Sequence, residues 1–74
     1  MLNITLVDYH TDMFVGVIKM VALPVKHEKI YFFGRNYEAV YNTERNGNVV
    51  ALVERVENGQ VVGLYDYMGD SADD

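Results

Sequence analysis

Asp8, His10 and Asp12 set two carboxylates and an imidazole at alternate positions. On an extended segment, alternate side chains point the same way, so such a set could touch one divalent ion. No second ligand cluster stands elsewhere in the chain, and the simpler reading of Asp8-Tyr9-His10-Thr11-Asp12 is a polar turn between two strands. No metal and no other cofactor is therefore expected. Nucleophilic chemistry has little to work with. There is no Cys, and the single Ser, Ser71, lies in a stretch read as a solvated tail, where no base could be held in hydrogen-bond geometry. Gly34, Gly47 and Gly59 each fall at an expected turn, so none belongs to a phosphate-cradling loop. Acid–base work by a carboxylate pair would need a cleft that so small a domain rarely forms alone. The expectation is a protein without catalytic residues.

Two groups of residues could instead bind something. Lys26, Lys29, Tyr31 and Arg35 combine cations with an aromatic ring around Ile30-Tyr31-Phe32-Phe33, the mixture a single-stranded nucleic acid asks for. The chain as a whole opposes that use. Six Lys and Arg stand against 11 Asp and Glu, a formal charge of -5, which disfavours a phosphate backbone or an anionic membrane. The second group is Tyr37, Tyr41, Tyr65 and Tyr67. Tyrosine brings a large contact area with few rotatable bonds and is favoured where proteins meet.

The elements that must carry these residues read mostly as strands. Leu2, Ile4 and Leu6 alternate with polar neighbours, a half-buried strand. Phe14 to Leu23 is apolar on both parities and rich in Val, which predicts a central strand covered on both faces and ended by Pro24. Lys29 to Phe33 is a further strand, with a turn expected at Gly34-Arg35-Asn36. Asn46-Gly47 and Asn58-Gly59 are the firmest signals, because both residue types tolerate the positive φ of a type I′ hairpin turn.

Counting outward from those turns places Thr43 opposite Val50, Tyr41 opposite Leu52, Glu38 opposite Arg55, and Val56 opposite Val61. The same count places Leu52 opposite Tyr65 and Val50 opposite Tyr67, so that the four tyrosines gather on one sheet face. A rival local reading makes residues 36–46 a short helix capped by Asn36, with Tyr37, Val40 and Tyr41 on one side.

Half of the residues are hydrophobic, and 74 residues allow a single domain with limited capacity to bury them. Residues 1–68 are read as one β-rich domain and 69–74 as an acidic flexible tail. The fold class expected is all-β, a five- to six-stranded antiparallel barrel or curled sheet of SH3-like or OB-like kind, with an α+β sheet carrying one short helix as the alternative. The longest apolar run, Met13 to Leu23, contains Lys19 and is too short to cross a bilayer, and the start lacks a leader pattern. Together with the missing cysteines, this predicts a soluble cytoplasmic protein with no membrane partner.

The function expected is a small protein-binding module docking through the tyrosine face. Its size and charge are those of small acidic accessory or inhibitory factors that viruses encode against host proteins. The alternatives are a homo-oligomer subunit that buries the surplus apolar surface, and a single-stranded nucleic-acid binder.

Overall fold

A computed structural model describes residues 1–61 as six strands and no helix. They are β1 (Leu2–Asp8), β2 (Phe14–Met20), β3 (Lys29–Phe32), β4 (Arg35–Arg45), β5 (Asn48–Glu57) and β6 (Gln60–Val61). The sheet order is β2-β1-β5-β4-β3, with β6 pairing the end of β5. The sheet curls into a half-barrel, as the strand pattern predicts. It is mixed rather than wholly antiparallel. The β1–β2 hairpin docks on the β3–β4–β5 meander by laying β1 parallel to β5, Leu6 beside Ala51 and Val7 beside Leu52.

Local turn chemistry explains the hairpins. Asn46-Gly47 and Asn58-Gly59 have positive φ at both residues, the signature of a type I′ turn. The pairs Thr43–Val50, Tyr41–Leu52 and Val56–Val61 form as the turn positions dictate. A third turn of this kind sits one residue earlier than the sequence indicates. It is Phe33-Gly34, joining Phe32 directly to Arg35, so β3 ends at Phe32 and Arg35-Asn36 already belong to β4. The helical reading of 36–46 is replaced by β4, which is paired on one edge by β3 and on the other by β5.

One further expectation fails because of the long-range docking of β1. Phe14–Met20 is an edge strand, not a central one, and it exposes Phe14 and Val17. The central position goes to β5, whose Val50–Val53 are buried on both faces, the continuous apolar run that a doubly covered strand shows. Val50 and Leu52 have β4 on one side and β1 on the other. Their expected partners Tyr67 and Tyr65 lie outside the described residues.

A bulge at Val40 changes the register within β4. Beyond it, Ala39 pairs Val53, Glu38 pairs Glu54 and Tyr37 pairs Arg55, so the expected Glu38–Arg55 pair does not form. The inner face then holds Ile4, Leu6, Ile30, Tyr37, Ala39, Ala51 and Val53 as one buried cluster, and the outer face carries Val7, Val50 and Leu52. The connection between the two halves is tied to β4. His27 N–H donates to Ala39 O at 2.8 Å, Ala39 N–H to Glu28 O at 2.9 Å, and Asn42 Nδ2 to the carbonyl of buried Pro24 at 2.8 Å.

The curl brings the two sheet edges together at one point. A Cβ placed on Gly16 of β2 would stand 2.4 Å from Phe32 Cζ of β3, so the ring rests on bare backbone. Gly16→Ala is expected to displace that ring and destabilise the fold by roughly 1–3 kcal/mol, the scale of overpacking. In a Phe32→Ala background the same change is expected to be neutral or stabilising, because only the entropic benefit of losing a strand glycine remains. Urea denaturation of the four proteins in this cycle measures the coupling. Equal costs in both backgrounds would show that the contact does not close the sheet.

Candidate interaction surface

The polar turn after β1 spends its chemistry on structure. Asp8 Oδ1 accepts the backbone N–H groups of His10 at 2.8 Å and Thr11 at 3.1 Å, which fixes the turn as an Asx motif. His10 Nε2 lies 2.8 Å from Glu54 Oε2, and Asp12 Oδ1 accepts from Arg45 Nη1 at 2.8 Å. The three side chains thus diverge to three separate partners. Among the described residues no group of three or more His, Cys, Asp or Glu could hold a metal ion.

The Val40 bulge splits the expected tyrosine face. Tyr37 is 5% exposed and points into the half-barrel, whereas Tyr41 is 50% exposed on the other side of the sheet. Tyr41 keeps company with Tyr9, a residue the pattern of tyrosines on β4 did not bring forward. Their rings meet edge to face with centroids 6.1 Å apart, a favourable quadrupole arrangement, and Tyr9 meets His10 in the same way at 5.2 Å. Tyr65 and Tyr67, the remaining members of the expected set, lie outside the described residues.

The basic and aromatic segment is also divided, here by the ordinary pleat of a strand. Lys29 and Tyr31 alternate with Ile30 and Phe32, so the first two face outward and the second two inward. Arg35 lies opposite Phe32 and belongs to the inner side. Lys26 is exposed in the connection before β3. Glu38 then neutralises part of what remains. Its carboxylate sits 3.3 Å from His27 Nδ1 and 3.6 Å from Lys29 Nζ, and no continuous cationic track joins the four candidate residues.

What the fold gathers instead is an aromatic rim at one mouth of the half-barrel. A cleft of about 280 Å³ has Asp8, Arg35, Tyr37 and Arg55 among its polar lining, with Met13 and Phe14 beside them. A neighbouring depression shares Val15, Arg35 and Tyr37 and adds Phe32 and Phe33. Phe33 is the residue that sequence reading placed at the end of a strand. It occupies the first central position of the β3–β4 turn at φ 47° and is 89% exposed. Asn or Gly fills that position without strain, so the signal was present in the sequence as Gly34 preceded by an unsuitable residue. The chain matches no protein-family model, and no curated protein or solved structure matches it either.

Phe33 is unfavourable in the isolated fold on two counts, a large exposed ring and a left-handed backbone that a bulky side chain resists at about 1 kcal/mol or more. Among the described residues its ring meets that of Phe32, with centroids 4.6 Å apart. Phe33→Asn is expected to leave the thermal midpoint unchanged or to raise stability by up to about 1 kcal/mol. A loss of stability in thermal or urea unfolding would make the ring a structural element rather than a presented one.

Proposed function

We propose that this chain is a non-enzymatic protein-binding module that docks through the aromatic mouth formed by Phe33, Phe14 and Met13. The observation carrying this reading is Phe33, held at an exposed hairpin tip in a conformation its side chain disfavours. Strain that the fold itself does not use is a pointer to function, and a rigid aromatic anchor beside a guanidinium is the kind of residue that dominates protein interfaces. The partner would supply an apolar pocket for Phe33 with an acidic group near Arg35. Tyr41 and Tyr9, exposed on the outer face, are the surviving part of the tyrosine surface and form a second contact region, while Tyr37 supports the mouth from inside. An accessory or inhibitory role fits such a module, since the turn carboxylates and His10 already serve structural partners.

A second reading, self-association, is favoured by β2, an edge strand with Phe14 and Val17 exposed along it. Sedimentation velocity separates the two. A monomer is expected for the docking module, and a dimer dissociated by Phe14→Lys would favour the oligomer.

Phe33→Asn supplies the direct test. Proteins captured by the immobilised wild-type chain from its native lysate should be lost with the variant, while its unfolding midpoint stays at or above that of the wild type. Retention of every captured protein by a folded Phe33→Asn chain would defeat the docking reading.

A further inference from the structure

The contact of Phe32 with Gly16 closes the sheet at one point and leaves the remainder of the seam between β2 and β3 open. That stretch is a groove of about 490 Å³ with Ile18 and Met20 on one wall and Ile30 on the other. Both walls are outermost strands of the sheet, so neither is paired along the seam by another described strand. An unpaired edge is a template for an added strand, which gains affinity from backbone hydrogen bonds and specificity from alternate side chains.

Register dictates what such a strand would look like. Ile18 faces Ile4 and Ile30 faces Tyr37, so the inward side of the seam is apolar on both walls. Lys19 pairs Asn3 and Lys29 pairs Glu38 on the outward side, which puts one ammonium on each lip of the groove. Lys19 makes no ion pair among the described residues, and Lys29 shares Glu38 with His27 while remaining largely exposed. A strand lying between them would meet apolar side chains below and two ammonium groups above, with Glu28 of the connection, whose carboxylate accepts from the Val25 N–H, also in the lining.

We infer that the open β2–β3 seam binds a short extended segment of a partner protein whose inward side chains are apolar and whose outward side chains are acidic, added to β2 over Val17–Met20. The inference rests on the reading of the chain as a protein-binding module and names a recognition mode distinct from the Phe33 tip. Charge complementarity selects this occupant. A second copy of the chain would bring one of its own outermost strands, β2 with outward Lys19 or β3 with outward Lys29, and either adds a third ammonium to the lips, whereas an acidic strand offers both lysines a counter-charge.

Panning random octapeptides displayed on phage against the full chain tests this. Enriched clones are expected to alternate apolar residues with Asp or Glu. A synthetic winner is expected to slow amide exchange in Val17–Met20 and to lose affinity by roughly tenfold against the folded Lys19→Glu, Lys29→Glu double variant. Alternate N-methylation of the peptide backbone should abolish binding through loss of the ladder. Failure to enrich any clone, winners whose affinity the double variant leaves unchanged, or exchange protection away from β2 would overturn the inference. So would a wild-type dimer that the peptide splits, which would make the occupant a second copy. Phe33→Asn distinguishes the two proposals: it should bind the winning peptide like the wild type, so loss of the seam leaves the hairpin-tip reading standing, and the reverse holds equally.

Discussion

The Phe32 ring lying on the bare backbone of Gly16 brings together the two ends of a five-strand path whose outermost strands are otherwise unpaired edges. Everything inside the curl follows from that approach. Ile4, Leu6, Ile30, Tyr37, Ala39, Ala51 and Val53 can form one cluster because the outer strands bend toward each other across them. Twist supplies part of the bend, and the irregularities at Val15 in β2 and Val40 in β4 supply more, since an extra residue in one strand of a pair increases local curvature. A side chain at position 16 would hold the ring away and with it the edge of β3.

The same geometry decides which surfaces are left over. A sheet that closes at one point has a mouth on one side of the contact and an open seam on the other. The mouth is lined by aromatic rings with guanidinium groups beneath, and the seam by aliphatic side chains with ammonium groups along its lips. These cationic borders belong to a chain whose formal charge is -5. Several carboxylates are already committed within the described body. Glu54 meets His10, Glu38 meets His27 and Lys29, and Asp12 meets Arg45, so net charge is a poor guide to the sign of any particular surface. The facing Glu38 and Glu54 show the same point at close range: of these like charges across β4 and β5, Glu38 has the Lys29 ammonium beside it and Glu54 is hydrogen-bonded to His10.

By itself, the sequence determined those parts of the fold that short-range chemistry controls. The all-β class followed from period-2 alternation and β-branched content. The hairpins at Asn46-Gly47 and Asn58-Gly59 followed from the positive φ both residues accept, and with them the pairs Thr43–Val50, Tyr41–Leu52 and Val56–Val61. Each depends on residues a few positions apart, where turn type fixes register. Only the tertiary structure decided the rest. The Val40 bulge carries no sequence mark, yet it sends Tyr37 inward and leaves Tyr41 outside, dividing the residues that an uninterrupted register would unite. The parallel docking of β1 on β5 joins segments more than forty residues apart and turns the apolar Phe14–Met20 run into an edge. The open seam is a product of those long-range choices, because what a strand presents to a partner depends on which of its faces and edges the remainder of the chain has already covered, whereas the exposed Phe33 follows from the local Phe33-Gly34 turn.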